Sequence, residues 1–340
     1  MLKKTFFSLF CFFTALTILS FTQRDQKPIK TIIIDPGHGG YDQGAPGLIS
    51  TEAQISLALS LKLGDKIAKE MPDVKALFTR ATDIIPGNSR DKNEGLRYRA
   101  DFANKSRADL FISIHCNAAG KAPGGWNERR IVGYDEKISY RGTGKKKRKI
   151  VTKIPIYETF WVHNHAKGTE TFIWTAKESA HKGKMVGDHS EFASYADDSS
   201  IIMPENDPVI NAMKLVYTKK YFLKSLKLAE LVQHEFENTG RINRGVKQRN
   251  DIGIWVLHAT GMPSILVEAG FITNKEEEEY MNSSEGQEEI VNSISNAVKK
   301  YLDGLDVPRK GNDAEVVNDG TSAILQNNRK QIFKKPVVLI

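Results

Sequence analysis

The stretch that decides the fold of this chain is Thr31-Ile-Ile-Ile-Asp-Pro-Gly-His38, a continuous β-branched run that leads into a histidine. The same arrangement recurs twice. Leu110-Phe-Ile-Ser-Ile114 leads into His115, and Ser264-Ile-Leu-Val267 leads into Glu268. Continuous apolar runs of this length are typical of strands buried on both faces of a parallel sheet. Because ligands of such sheets collect outside the carboxyl ends of the strands, we expect two imidazoles and a carboxylate to meet at one sheet edge.

Helical patterns lie between these predicted strands. Apolar residues recur at helical spacing in 50–71, and Thr51 followed by Gln54 forms a capping box that places Glu52 in the first turn. Strands that alternate with helices indicate βαβ units. The sequence therefore predicts an α/β fold: a single domain over 30–303 with a central, mostly parallel sheet flanked by helices. Further helices are predicted at 96–105, 212–237 and 285–302.

Two stretches interrupt this alternation. Residues 120–167 combine Gly and Pro turns with two alternating segments and a basic tip, which predicts a β-hairpin-like insertion. Residues 178–208 are polar and indicate a long surface segment, and such segments often act as lids or switches. Beyond Gly304 the chain is rich in Asn, Asp and Lys, and we expect 304–340 to be a flexible C-terminal tail.

The first 22 residues differ from the rest. Met1-Leu-Lys-Lys4 precedes an apolar run from Thr5 to Thr22, which is typical of a secretory signal peptide, with 23–29 as a linker. An uncleaved membrane anchor is the alternative, because about 18 apolar residues is the lower limit for spanning a bilayer. Since no second run of that length follows, we expect an exported protein of the periplasm or cell envelope.

Charge and cysteine content narrow the class of protein. The chain of 340 residues has a formal net charge of +8, which suits anionic envelope polymers but is also common in proteins without such partners. Apolar residues make up 40% of the chain, enough for a folded core. After signal cleavage Cys116 is the only cysteine, so an internal disulfide is excluded and stability must come from the core.

The residues that end the predicted strands suit a metal site. A hydrolytic zinc site needs three protein ligands and an open position for water, and two histidines with a glutamate are a standard set. His38 and His115 supply two ligands. Glu52 is the best third, because it lies 14 residues after His38 at the start of the next helix, which begins where the first strand ends. Glycines at 37, 39 and 40 allow the sharp turn that this approach needs.

Each of these residues also has a simpler interpretation. A histidine after a strand is often only a polar loop residue, and a glutamate in a first turn is favoured by the helix dipole. Glu268 could be a structural carboxylate paired with an arginine. The joint placement of all the residues favours a site. Zinc activates water, and a nearby glutamate can move the proton of that water to a leaving amine. We therefore predict that Glu268, beside such a zinc site, takes part in hydrolysis of an amide.

Other residues give weaker signals. Cys116 beside His115 raises the hypothesis of a thiol hydrolase, although adjacent strand residues point to opposite faces and Cys116 suits a packing role better. His163 and His165 share a strand face but have no third ligand near them in sequence. The run 145–149 is basic without interleaved aromatic residues, and we interpret it as a solvated turn rather than a nucleic-acid site.

Three blocks closely resemble the signatures of one family, the zinc-dependent N-acetylmuramoyl-L-alanine amidases of catalytic type 3. The blocks are Thr31-Ile-Ile-Ile-Asp-Pro-Gly-His-Gly-Gly40, Ala108-Asp-Leu-Phe-Ile-Ser-Ile-His-Cys-Asn-Ala118 and Pro263-Ser-Ile-Leu-Val-Glu-Ala-Gly-Phe-Ile-Thr-Asn274. Shorter landmarks lie between them: Leu96-Arg-Tyr-Arg99, Gly168-Thr-Glu-Thr-Phe172 and Asn243-Arg-Gly-Val246. The resemblance implies that His38, Glu52 and His115 bind zinc and that Glu268 is the catalytic glutamate.

The resemblance also implies a substrate and a biological role. Members of the family cleave the amide between the lactyl group of N-acetylmuramic acid and L-alanine of the stem peptide in peptidoglycan. They serve cell-wall turnover or daughter-cell separation outside the cytoplasmic membrane. We therefore expect peptidoglycan as the partner, no nucleic acid, and membrane contact only through an uncleaved signal segment. A third hypothesis is a catalytically inactive cell-wall-binding or activator module that keeps the fold.

Regulated members of this family carry a helix that covers the zinc until an envelope activator displaces it. Residues 178–208 follow the Gly-Thr-Glu-Thr block, where such a helix occurs, and Glu191 or Glu205 could take the open zinc position. A solvated loop is the alternative. The sequence departs from the simple family pattern in the insertion 120–167.

Overall fold

A computed structural model of the chain describes residues 29–187, 208–249 and 253–306. Ile29–Tyr301 forms one compact unit, and the other, Met1–Pro28 with Leu302–Ile340, falls almost entirely outside the described residues. The predicted signal peptide, nearly all of the linker and most of the tail therefore lie outside them, as do Glu191 and Glu205. None of the described helices combines the length and the apolar character needed to cross a bilayer.

The centre of the fold is a six-stranded sheet in the order β2-β1-β3-β8-β6-β7. All neighbouring strands are parallel except β6 and β8, which are antiparallel, so the predicted mostly parallel sheet is confirmed. The strands of this sheet are β1 (Thr31–Pro36), β2 (Lys75–Phe78), β3 (Leu110–Asn117), β6 (Thr169–Ile173), β7 (Asn243–Gln248) and β8 (Ser264–Phe271).

Helices flank this sheet, as the alternating pattern predicts. The first begins at Glu52 after the N-cap Thr51, and the predicted capping box with Gln54 is present. The helices are α1 (Glu52–Glu70), α2 (Lys92–Lys105), α3 (Ser179–Gly187), α4 (Pro208–Asn238), α5 (Trp255–His258), α6 (Lys275–Asn282) and α7 (Ser284–Asp306). The predicted helix at 212–237 is longer in the structure, and α3 occupies part of the predicted surface segment.

The apolar runs form the buried middle of the sheet. Ile32, Ile33 and Ile34 of β1 have no exposed surface, because both faces of the strand are covered. The strands β3 and β8 continue beyond their apolar runs, to Asn117 and Phe271. Their ends are set by backbone hydrogen bonds rather than by hydrophobicity. His115 and Glu268 consequently lie within strands, near their carboxyl ends, rather than after them.

A long hairpin projects from this domain, which confirms the predicted β-hairpin-like insertion. Its strands are β4 (Gly125–Arg141) and β5 (Arg148–His163), paired antiparallel and separate from the main sheet. Both strands extend further than the segments that alternate in sequence. Ladder pairing continues through charged positions, because polar side chains on an exposed strand do not interrupt backbone hydrogen bonds.

Candidate metal centre and active site

The loop after β1 brings His38 against β3. Gly37 donates a backbone hydrogen bond to the carbonyl of Ile114, 2.9 Å away, so the chain runs beside β3 before it turns. A Cβ atom at Gly37 would lie 2.5 Å from the imidazole of His115, which only glycine avoids. Gly44, with φ of +67°, packs in the same way against Glu52 and His38. The glycines permit the close approach of the two histidine-bearing segments.

Two buried arginines hold this loop by its carbonyl oxygens. Arg80 donates to the carbonyl of Gly37 at 2.7 Å, and Arg99 donates to that of His38 at 2.6 Å. Arg99 also forms a buried ion pair with Asp35 of β1. Burial lowers the pKa of Arg80 to about 10, which leaves it charged at neutral pH. The backbone around His38 is therefore fixed by charged donors on neighbouring elements.

Glu52 lies between the two histidines. Its Oε2 atom is 3.1 Å from Nε2 of His38, and its Oε1 atom is 2.7 Å from Nδ1 of His115. The ligand atoms of these three residues all lie within 4.8 Å of one another. The side chain of Glu52 is almost wholly buried. The structure thus brings together the three residues that the sequence predicts as metal ligands, and as a group they could hold a metal ion.

The electrostatics of this group follow from its geometry. Burial alone would raise the pKa of Glu52, but hydrogen bonds from His115 and His38 outweigh it and hold that pKa far below its ordinary value. Burial would lower the pKa of His38, yet its hydrogen bond to Glu52 and the charge of that carboxylate raise it instead. Glu52 is consequently ionised, as a carboxylate ligand must be.

Asp42 orients His38 from the side away from Glu52. Its Oδ2 atom lies 3.0 Å from Nδ1 of His38 and 3.1 Å from Nζ of Lys92. Metal-binding histidines commonly donate their second ring nitrogen to a carboxylate, which fixes the tautomer and the ring orientation. Sequence reasoning missed Asp42. The available signal was a carboxylate four residues after a candidate ligand.

Glu268 stands beside this group on the next strand. The register of β3 and β8 pairs it with His115, and the register of β6 and β8 pairs it with Glu170. No described residue gives a hydrogen bond to its Oε2 atom, which is buried. Burial, reinforced by the charges of Glu52 and Glu170, raises the pKa of Glu268 to about 8. A carboxyl with this pKa and one oxygen without a donor is suited to proton transfer near neutral pH.

Glu170 is the second carboxylate that sequence reasoning left without a role. It accepts hydrogen bonds from Arg244 at 2.7 Å, Lys247 at 2.5 Å and Asn117 at 2.9 Å. Burial opposes its ionisation, but the bonds from Arg244 and Lys247 outweigh burial and lower its pKa. The surroundings therefore shift the pKa values of the two neighbouring carboxyls in opposite directions: that of Glu170 is lowered and that of Glu268 is raised.

All four predicted site residues line one pocket of about 640 Å³. Helices supply its far wall, through Lys92 and Arg99 of α2 and through Trp255 and His258 of α5. The pocket thus combines a three-residue ligand group, a neighbouring carboxyl of raised pKa and a basic and aromatic rim. A pocket of this kind could hold a metal ion next to a carboxyl able to move a proton.

Comparison with known proteins agrees with this geometry. A family model described as N-acetylmuramoyl-L-alanine amidase matches residues 32–300. The chain belongs to this family.

The curated relatives of this amidase-family chain differ from it in length. N-acetylmuramoyl-L-alanine amidase AmiC of Escherichia coli is 29% identical over 289 residues, which cover 84% of this chain and 56% of the relative. The probable amidase AmiB of Haemophilus influenzae is 24% identical, covering 98% of this chain and 62% of the relative. A putative amidase of Buchnera aphidicola is 26% identical, covering 80% and 94%. The chain spans less than two thirds of the first two relatives.

A solved structure shows the same fold. The CwlD amidase from Clostridioides difficile, determined in complex with the GerS lipoprotein, matches with a TM-score of 0.50 and 23% identity. The match covers 81% of this chain and 99% of that chain. The six-stranded mixed sheet flanked by helices is thus the fold of an amidase of known structure.

The remaining candidates from the sequence find ordinary surroundings within this family fold. The thiol of Cys116 is buried, 3.8 Å from the sulfur of Met281, and burial raises its pKa well above the usual range. A buried thiol of raised pKa is a poor nucleophile, so this environment does not favour a thiol hydrolase. The rings of His163 and His165 are 5.9 Å apart, and no metal-binding group among the described residues includes them.

Proposed function

We propose that this chain is a zinc-dependent N-acetylmuramoyl-L-alanine amidase. It hydrolyses the amide between the lactyl group of N-acetylmuramic acid and L-alanine of the stem peptide, and so removes stem peptides from peptidoglycan. The observation that carries the proposal is the convergence of His38, Glu52 and His115 beside Glu268 in one pocket of a chain that matches the family over 32–300.

The donor atoms of this group fit zinc. Two imidazole nitrogens and one carboxylate oxygen are a common ligand set of catalytic zinc sites, which keep a further position open. The ionised state of Glu52 and the Asp42 carboxylate behind His38 both favour a bound cation. When bound by His38, Glu52 and His115, zinc would polarise the scissile carbonyl and lower the pKa of a water molecule.

The protein's own residues supply the proton chemistry. In its ionised form Glu268 accepts the proton of the attacking water and passes it to the nitrogen of L-alanine as that amine leaves. The buried, unpaired Oε2 atom is free for this exchange, since no described residue donates to it. Glu170 is held ionised by Arg244 and Lys247, so it does not compete for the proton.

Digestion of purified sacculi tests the bond that is cleaved. Mass spectrometry of the products should show free stem peptides that begin with L-alanine, while the glycan strands stay intact. Incubation with EDTA should abolish release, and added zinc should restore it. Soluble muropeptides that keep the lactyl–alanine bond, or loss of activity only after thiol alkylation, would contradict the proposal. Binding of sacculi without any product would instead support an inactive cell-wall-binding module.

Location and regulation belong to the same proposal. Peptidoglycan lies outside the cytoplasmic membrane, so the chain acts in the periplasm or cell envelope after export through its N-terminal segment. Occlusion by residues 178–208, relieved by an envelope activator, is a second part of the proposal. A variant without 188–204 should cleave sacculi faster than the full chain if that segment blocks the pocket. Equal rates for the two proteins would rule out the occlusion.

A further inference from the structure

The hairpin of β4 and β5 has no role in the proposed active site. At about 3.3 Å per residue each of its strands reaches about 50 Å. Beyond the root, where Gly125 pairs with His163, almost every side chain is exposed, including many apolar ones. An isolated two-stranded hairpin buries little apolar surface and is only marginally stable in water. Many exposed apolar residues on one element indicate a surface that binds another molecule.

The charge of the hairpin indicates that this other molecule is anionic. Residues 125–163 contain ten Lys and Arg against four Asp and Glu, a net charge of +6 within a chain whose total is +8. Six of these cations lie in the tip, 141–149. Such a surface attracts an anionic partner within about 10 Å, the screening length at ordinary salt, and repels a second copy of itself.

One face of the hairpin combines aromatic and cationic side chains. Residues paired across an antiparallel ladder lie on the same face. The pairs Tyr140 with Lys149, Tyr134 with Pro155, and Ile131 with Tyr157 therefore define a single face, which we call the aromatic face. The exposed rings of this face are Tyr134, Tyr140, Tyr157 and Trp161, and its cations are Arg129, Lys149 and Lys153.

The rings and cations of the aromatic face are in contact. The guanidinium carbon of Arg129 lies 4.5 Å from the ring centroid of Tyr157, and Nζ of Lys147 in the tip lies 4.6 Å from that of Tyr140. More than half of the surface of Tyr134, Tyr140 and Trp161 remains exposed. Flat rings can pack on the C–H faces of sugars while neighbouring cations pair with carboxylates. This chemistry fits a glycan strand that carries carboxylate-bearing peptides.

The opposite face differs, although it lies on the same strands. It carries Ile150, Ile154 and Ile156, which pair with Ser139, Asp135 and Gly133, and a single exposed ring, Phe160, whose centroid lies 5.9 Å from the guanidinium carbon of Arg130. The three isoleucines offer no flat ring to a sugar, whereas the aromatic face offers four rings. Insertion of the hairpin into a membrane is also disfavoured, because a tip with six cations would have to enter first.

The root of the hairpin adjoins the pocket. Asn117 and Ala118 line the pocket, and β4 begins seven residues further on, at Gly125. The root is fixed, since Gly124 donates to the carbonyl of Thr273 at 2.9 Å and Asn164 donates to that of Gly124 at 3.2 Å. A long polymer with one bond in the pocket can therefore continue onto the hairpin.

We propose that the aromatic face is an accessory binding site for a glycan strand whose attached stem peptides bear carboxylates, and that it holds polymeric substrate next to the pocket. This inference rests on the proposed function, because the polymer is the proposed substrate. The site adds affinity for the polymer without taking part in bond cleavage. Soluble fragments too short to reach the hairpin gain nothing from it.

Sedimentation with purified sacculi tests the site. The background is the full chain with Glu268→Gln, so that the polymer is not consumed. Adding Tyr134→Thr, Tyr157→Thr and Trp161→Thr should weaken binding by at least about tenfold, since three ring contacts are lost. The matched control adds Ile150→Thr, Ile154→Thr and Ile156→Thr on the opposite face and should keep binding within about twofold. Equal loss in the two variants, or loss in neither, overturns the inference.

A second variant tests charge pairing without removing any ring from the hairpin. Lys145→Ser, Lys146→Ser and Lys147→Ser leave every ring in place and should flatten the dependence of sacculus binding on NaCl concentration. An unchanged salt dependence argues against charge pairing with the polymer. Binding to phosphatidylglycerol vesicles or duplex DNA as tight as to sacculi would show a general polyanion surface, and a dimer in ultracentrifugation that the ring variant dissociates would show a second copy. Each of these results overturns the glycan site.

Hydrolysis separates this inference from the proposed function. With Glu268 intact, the ring variant should cleave a soluble disaccharide–peptide fragment at the rate of the unaltered chain but digest sacculi more slowly. If neither substrate is cleaved yet sacculus binding still depends on the rings, the proposed function fails and the binding site stands. If both substrates are cleaved at unaltered rates, the amidase stands and the accessory site fails.

Discussion

The wall of the pocket and the β4–β5 hairpin are built in opposite ways. In the wall, Glu52 contacts both His38 and His115, and the strand β1 that leads to it is fully buried at Ile32, Ile33 and Ile34. In the hairpin, backbone pairing and a fixed root hold two strands whose side chains face solvent. Burial fixes the first region to a single geometry, which chemistry requires. The second is free to vary its side chains, which suits a binding surface.

Two arginine–carboxylate pairs show the same contrast. Arg99 pairs with Asp35 where both are buried, and Arg99 also holds loop carbonyls of the metal centre. Arg130 pairs with Glu128 at 2.7 Å on the hairpin, where both are exposed. The buried pair is costly to break because a charge would be left without a partner, whereas the exposed pair is screened by water and contributes little. The same chemical pair has a structural role in only one place.

The largest effect is expected at Glu268. Glu268→Gln should lower the rate of sacculus hydrolysis about 10²- to 10⁴-fold, because the amide cannot accept the proton of the attacking water. Metal content measured by atomic emission should stay equal to that of the unaltered chain. Glu279→Gln on the exposed part of α6 is the control and should leave the rate unchanged. Normal hydrolysis by the Glu268 variant would remove it from the mechanism.

Breaking the buried pair should cost more stability than breaking the exposed one. Arg99→Met leaves Asp35 buried without its cation and should lower the free energy of unfolding by about 3–5 kcal/mol. Arg130→Met should leave it unchanged within the error of the measurement, because the pair is screened by water. Urea denaturation followed by circular dichroism measures both. Similar losses in the two variants would show that burial does not distinguish the regions.

A smaller effect is expected behind the metal centre. Asp42→Asn removes the charge that orients His38 and should weaken zinc affinity about 10- to 100-fold in a competition titration with a chromophoric chelator. The exposed Asp73→Asn is the matched control. An affinity equal to that of the control would mean that the loop backbone alone positions His38.

The smallest effect is expected on the hairpin. Ile154→Thr changes an exposed side chain and should alter the free energy of unfolding by no more than about 0.5 kcal/mol. Thermal and urea unfolding of the variant measure this directly. A loss of several kcal/mol would show that this face is covered within the protein itself, and would break the contrast between the two regions.

Much of the fold was predictable because its signals are local. The β-branched run before His38 predicted a buried strand, and the Thr51–Gln54 capping box placed the start of α1. The lengths of β3 and β8 were not predictable, because their last residues are held by pairing with neighbouring strands. The alternating segments predicted the hairpin, but its faces depend on a bulge between Ile131 and Gly133 that shifts the register.

The sequence by itself determined the fold class. It also singled out His38, Glu52 and His115, which the structure brings together, and the carboxyl of Glu268 beside them. Periodicity, capping and strand composition are properties of short segments, so they can be read without a partner. Only the tertiary structure decided that Asp42 contacts His38, that Arg244 pairs with the ionised Glu170, and that Glu268 has a raised pKa. The charge states of Glu170 and Glu268 depend on distance and burial between segments far apart in the chain. The contact of Asp42 with His38 is short-range, but it depends on how the loop after β1 folds.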